Sequence, residues 1–153
     1  MPKPHTDTPS VHDSVGYWAS HLARAMEAAF NARLSEHGLN RSSYAVLAAL
    51  VFDQRSTPSQ IADFLGLDRA SVTRLLDKLE NQALILRNRD GSDRRSVSVM
   101  AQSKGIALAH QLVTDSQAVN TQFTAGLTPA EVAQFVATAR KMLTNGDATL
   151  DML

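Results

Sequence analysis

The chain has 153 residues, 44% hydrophobic and 20% charged, which suits one folded unit with its own core and excludes disordered and fibrous classes. Lysine plus arginine equal aspartate plus glutamate at 15 each, so net charge alone selects no partner. Cysteine is absent, which excludes disulfide frameworks, thiolate metal sites and thiol switches.

The first eleven or so residues carry Pro2, Pro4 and Pro9 without periodicity and read as a flexible arm (1–11), not as a basic-then-apolar leader. No apolar run reaches bilayer length, so no membrane partner and a cytoplasmic location are expected. Trp18, Leu22, Ala25, Met26, Ala29 and Leu34 recur at helical spacing, and Gly38 ends that helix; residues 12–40 form an N-terminal helical unit. A second helix, about Arg41 to Phe52, carries Tyr44, Leu47, Leu50 and Val51 along one side.

The next stretch is the best punctuated. Thr57-Pro58-Ser59-Gln60 combines an N-cap hydroxyl, proline at the first helical position and a capping-box glutamine, and predicts a short helix ending at Leu65. Gly66-Leu67-Asp68 supplies a left-handed stop and a new cap for a helix to about Asn81, with Val72, Leu75, Leu76 and Leu79 inward. Two helices across a glycine turn make a helix-turn-helix. Leu84 to Arg89 and Ser96 to Met100 then read as strands joined by Asp90-Gly91-Ser92-Asp93, a β-hairpin. The fold class expected is mainly α with a small β wing: a winged helix-turn-helix over 41–101. Ile106 to Phe123 and a capped helix opening at Thr128-Pro129-Ala130-Glu131 complete the chain as C-terminal helices (102–153).

Charge is distributed unevenly. Between Arg69 and Arg95 stand seven basic residues (Arg69, Arg74, Lys78, Arg87, Arg89, Arg94, Arg95) against four acidic ones (Asp77, Glu80, Asp90, Asp93). With the apolar positions inward, Arg69, Ala70, Ser71, Thr73, Arg74, Asp77 and Lys78 face outward, a mixture of small, hydroxyl and basic groups that fits a major groove. The helix N-terminus near Ser71 favours a phosphate. A solvated helix with ordinary surface charge would carry the same residues. The arginines of the hairpin shift the balance, because crowded like charge brings a fold little stability and a narrow minor groove attracts it. Asp93 stands two residues before Arg95 and either orients it on DNA or forms a structural ion pair.

Thr57 to Gly105 resembles the core of the MarR family of winged-helix regulators, through Leu79-Glu80-Asn81-Gln82-Ala83-Leu84-Ile85-Leu86-Arg87 and Asp93-Arg94-Arg95. Tyr44-Ala45-Val46-Leu47 before the motif and Leu127-Thr128-Pro129 after it extend the resemblance over nearly the whole chain. Three positions depart from the pattern. Ala83 stands where glycine is usual, implying a tighter or differently angled turn into the wing; Ala101-Gln102 weakens the cap of the long helix; Gly91 replaces a wing-tip proline.

The resemblance implies a DNA-binding transcriptional regulator, and a repressor. It implies a homodimer built from the N- and C-terminal helices, binding a near-palindromic operator with half-sites about 34 Å apart. The expected DNA contacts are Ser59, Arg69, Ala70, Ser71, Thr73, Arg74, Lys78, Arg87, Arg89, Arg94 and Arg95, with Asp93 orienting the wing. It also implies a small aromatic or phenolic acid as effector, in a cleft for which Trp18, His21, Arg41 and Tyr44 are the candidates, although ordinary packing accounts for each of them too. His5, His12, His21, His37 and His110 lack metal-ligand spacing, so neither metal nor cofactor is expected. The sequence lacks nucleophile-elbow, phosphate-loop and HExxH patterns, so no enzyme is expected. The rival reading is a winged-helix module for protein association alone.

Overall fold

The structure, a computed structural model, describes residues 10–89 and 97–146, with Arg89 described by its backbone alone. A short 3-10 turn (Val11–Asp13) precedes α1 (Val15–Glu36), α2 (Arg41–Val51), α3 (Pro58–Leu65) and α4 (Arg69–Asn81). Strands β1 (Ile85–Arg89) and β2 (Val97–Ala101) follow, then α5 (Ser103–Phe123) and α6 (Pro129–Asn145). This is the mainly helical architecture with a two-stranded wing that the periodicity predicted. Ser10 and Val11, which the sequence placed in the arm, belong to the 3-10 turn: the Ser10 hydroxyl caps it, and the Asp13 carboxylate accepts the Ser10 N–H.

Capping chemistry sets the helix boundaries. Asn40 and Ser43 cap α2 reciprocally, and Ser43 is fully buried as a result. Thr57 Oγ1 accepts the Gln60 N–H at 3.2 Å with Pro58 at the first position, and Gly66 (φ 62°) closes α3 in the left-handed region. Thr128 and Glu131 form the capping box of α6. Gln102, by contrast, caps α5 without a side-chain hydrogen bond, as its departure from the family pattern implied.

One core joins almost every element. Leu34 of α1, Leu47 of α2, Ile61 of α3, Leu76 and Leu79 of α4, Ile85 of β1, Val99 of β2 and Leu112 of α5 are all fully buried or nearly so. The flanking helices α1 and α5 are thus rooted in the same core as the helix-turn-helix. Leu75, expected inward, is half-buried at the edge of that core. The helix α6 buries none of its residues.

The strands pair antiparallel, with Arg87 opposite Val99 and Arg89 opposite Val97. The Val99 N–H donates to the Ser56 carbonyl oxygen at 2.7 Å, so the segment entering α3 is stitched to the wing. β1 begins at Ile85, one residue later than predicted, because Leu84 completes the turn out of α4; β2 runs to Ala101, one residue past its predicted end, and its predicted first residue, Ser96, lies outside the described residues. In that turn Ala83 adopts φ 56°, a left-handed backbone that costs a residue with a Cβ about 1–2 kcal/mol. The structure therefore keeps the turn and places the strain on the alanine.

Candidate nucleic-acid interface

The helix α4 buries Val72, Leu76 and Leu79 and exposes Arg69, Ala70, Thr73, Arg74 and Asp77, with Ser71 and Lys78 half-exposed. Its outer face is the one the sequence assigned to DNA. Ser59, at the start of α3, is also exposed, and its hydroxyl has no hydrogen-bond partner among the described residues. Arg69 and Lys78 have no ion pair or side-chain hydrogen bond among the described residues. Arg74 Nη2 donates to Ser71 Oγ at 3.3 Å, and its guanidinium forms no salt bridge among the described residues, although its charge helps to lower the pKa of the Asp68 carboxyl. Thr73 Oγ1 donates back to the Arg69 carbonyl at 2.9 Å, and the residue is exposed.

Two of the expected contact residues have partners within the fold. At the N-terminus of α4, where Ser71 is expected beside a phosphate, the Asp68 carboxylate is already seated. Asp68 Oδ1 accepts the Ser71 N–H at 2.9 Å and Oδ2 accepts the Ser71 hydroxyl at 2.6 Å. The side-chain and backbone hydrogen bonds from Ser71 hold the Asp68 carboxyl below its ordinary range, so it is charged at neutral pH and repels a second anion.

The Arg87 guanidinium, expected among the DNA contacts, pairs with two carboxylates within the fold. Its Nε donates to Glu80 Oε2 at 2.9 Å and its Nη2 lies 2.7 Å from Asp77 Oδ1. The Glu80 and Asp77 hydrogen bonds push the Arg87 pKa up against the opposing effect of burial. Arg87 offsets one of the two negative charges of Asp77 and Glu80, so that Arg69, Arg74, Lys78 and Arg87 stand against Asp68, Asp77 and Glu80 and leave the α4 face a small positive balance. Gly91, Asp93, Arg94, Arg95 and the Arg89 side chain lie outside the described residues.

The four effector candidates do not converge within one chain. Trp18 and His21 belong to an aromatic cluster at the start of α1, where the Tyr17 ring lies 4.1 Å from that of His21 and 5.3 Å from that of Trp18. Tyr44 packs edge-on against Phe30 at 5.4 Å, and burial raises its pKa. Trp18 and Phe30 are twelve residues apart on α1, about 18 Å along the helix. Arg41 borders a different hollow, with Asn31 and Ser35. An open cleft of about 420 Å³ forms instead between the end of α2, β2 and the start of α5, walled by Val51, Met100 and Ile106 with Arg55 and His110 among its lining. Sequence reading missed Arg55 because a lone arginine in a loop carries no pattern, and grouped His110 with scattered packing histidines.

A two-helix motif with a cationic outer helix, followed by a two-stranded wing on a shared core, defines a winged helix-turn-helix DNA-binding protein. A MarR family profile matches residues 37–96. MhqR of Bacillus subtilis (strain 168), an HTH-type transcriptional regulator, is 31% identical over 113 residues, covering 74% of this chain and 78% of its own. The solved structure of CouR from Rhodococcus jostii RHA1 bound to p-coumaroyl-CoA has a TM-score of 0.64 at 27% identity, covering 88% of this chain and 95% of that one. MepR, a regulator of the Staphylococcus aureus multidrug efflux pump MepA, shares the fold with a TM-score of 0.75 at 22% identity, over 86% of this chain and 98% of its own. The chain belongs to the MarR family of DNA-binding transcriptional regulators. Among the described residues, no helix is long and apolar enough to cross a membrane, and no three histidine, cysteine or acidic side chains group as metal ligands.

Proposed function

We propose that the protein is a homodimeric repressor that reads a near-palindromic operator, with α4 in the major groove and the wing beside it. The observation that carries this reading is the outer face of α4: Arg69, Arg74 and Lys78 are exposed or half-exposed and form no salt bridge among the described residues, while Arg87 offsets one of the two charges of Asp77 and Glu80. Ser59, Ala70 and Thr73 complete the contact surface, with Ser59 placed to meet a phosphate and the small side chains placed to meet base edges. Arg89, Arg94 and Arg95 are assigned to the wing's contact with the adjacent minor groove, and Asp93 to its orientation.

The dimer is supported by apolar surface that the described residues of a single chain leave exposed. Trp18 is 61% exposed, Phe135 and Val15 are each 58% exposed, and α6 buries nothing. A cleft of about 510 Å³ between α1 and α6 is lined almost wholly by such residues, Val15, Phe135, Met142 and Leu143 among them. Covering each large side chain contributes about 1.5–3 kcal/mol, and a lone 17-residue helix is marginal in water. A second copy, laying its own α1 and α6 there, is the self-complementary solution.

Ligand response is the second part of the reading, and a small aromatic or phenolic acid is its ligand. CouR, similar to this chain, is bound to p-coumaroyl-CoA. In this chain the α2–β2–α5 cleft combines apolar walls with Arg55 and His110, a chemistry suited to an organic anion. Ligand there would press between the wing strand and α5.

The test is selection of genomic fragments by the purified protein, followed by titration of the selected duplex at several salt concentrations. Selective binding that weakens steeply as salt rises supports the reading, through counterion release. Weak, salt-insensitive association with DNA would leave the protein-association module as the better account. Recovery of single half-sites would overturn the dimeric operator.

A further inference from the structure

Gln82, the C-cap residue of α4, stands where the recognition helix meets both long flanking helices. Its Nε2 donates to the Gly38 carbonyl oxygen, just beyond α1, at 3.3 Å. Its own carbonyl oxygen accepts from Lys104 Nζ, in the first turn of α5, at 2.9 Å. An ammonium group at the C-terminal end of a helix also meets the negative pole of the helix dipole.

The surrounding backbone is equally close. The Gln102 N–H donates to the Leu84 carbonyl oxygen at 2.9 Å, and a Cβ on Gly105 would collide with that same carbonyl. Gly38 is left-handed (φ 67°), and a Cβ on it would approach within 2.9 Å of Gln82 Nε2. The base of α4 is thus clamped between α1 and α5, while its first residues, Arg69 and Ala70, are exposed.

Gln82 Oε1 is buried and has no partner among the described residues. A buried amide oxygen without a hydrogen bond is costly, and an apolar side chain would fill the same space without that cost. The amide is therefore placed there for the bond its other end makes.

We propose that Gln82 and Lys104 are positioning residues that fix the angle of α4 against α1 and α5, and thereby the half-site spacing that the dimer accepts. This rests on the dimeric-operator reading above. In a dimer held by α1, α5 and α6, a small rotation of α4 about its clamped base moves the two projecting ends in opposite senses. The separation of the recognition helices is then as well defined as the clamp.

The experiment uses the selected operator and duplexes in which one base pair is inserted between, or deleted from between, the half-sites. Affinity for each duplex, the salt slope and the melting temperature are measured for wild type, Gln82→Leu, Lys104→Met and Lys104→Arg. Wild type is expected to prefer the native spacing by about tenfold or more. Gln82→Leu and Lys104→Met should compress that ratio to roughly threefold or less with an unchanged salt slope, and Lys104→Arg should restore it. Should Gln82→Leu fail to fold, Lys104→Met and its arginine rescue carry the test. An unaltered ratio in the variants, or an equal loss of affinity at every spacing, overturns the proposal. Wild type that selects an operator but ignores spacing sinks the proposal alone; wild type that selects no duplex sinks the operator reading with it.

Discussion

Arg87 on β1 is bound to Glu80 on α4 by three hydrogen bonds: its backbone N–H donates to Oε1 at 2.9 Å, and its Nε and Nη2 both donate to Oε2, at 2.9 and 2.5 Å. Strand and helix are joined by one carboxylate, so tilting the wing would break these bonds. Charge-assisted bonds of this kind contribute about 1.5–3 kcal/mol each at most, less where solvent reaches them. Glu80→Ala should therefore lower unfolding stability by about 1–3 kcal/mol in a denaturant titration. Arg87→Ala should weaken operator binding while leaving the salt slope intact, because Arg87 neutralises protein carboxylates in place of a phosphate. A slope reduced by about 1 would instead mark Arg87 as a direct phosphate contact.

The left-handed turn at Ala83 yields a prediction of opposite sign. Its φ of 56° is one that glycine adopts without penalty. Ala83→Gly should stabilise the protein by roughly 1 kcal/mol, the relief of strain exceeding the added chain entropy of the unfolded state. Thermal unfolding of the two proteins side by side checks this, and a lower melting temperature for the glycine variant would contradict it.

On the outer face of α4, Arg74 and Lys78 should behave differently from one another. Arg74→Ala is expected to cost about 1–3 kcal/mol on the selected operator and to relax discrimination at one base position, as loss of a base contact does. Lys78→Ala should weaken all duplexes to a similar extent and reduce the salt slope by about 1. Equal effects of Arg74→Ala on operator and random DNA would reassign that arginine to the phosphates.

Two caps predict an acid limb of stability. Hydrogen bonds from Ser71 hold Asp68 below its ordinary value of 3.8, and backbone and side-chain bonds from Thr128 hold Glu131 below 4.5. Both folded-state values are depressed, so each contribution is fully present above the ordinary value and is lost as pH falls through the depressed one. Asp68→Ala and Glu131→Ala should lower the melting temperature at neutral pH, and the gap from wild type should close as pH falls below those ordinary values and through the depressed ones. A gap that stays constant with pH would show that the caps act without their charge.

Much of this protein was legible in its residues because the information was local. Thr57-Pro58, Gly66, Asp68 and Thr128-Pro129 place helix ends through hydrogen bonds that span three residues, and helical spacing identified Val72, Leu76 and Leu79 as core. The outward set on α4 followed from the same geometry. Tertiary structure decided what needs distance: that Arg87 turns back to Asp77 and Glu80, that Ser71 serves Asp68, and that Trp18 and Tyr44 sit near opposite ends of α1. It also decided that Gln82 touches Gly38, 44 residues away in the chain. Periodicity records which way a side chain points from its own backbone, whereas its partner depends on how separate elements pack, and packing is settled only when they share a core.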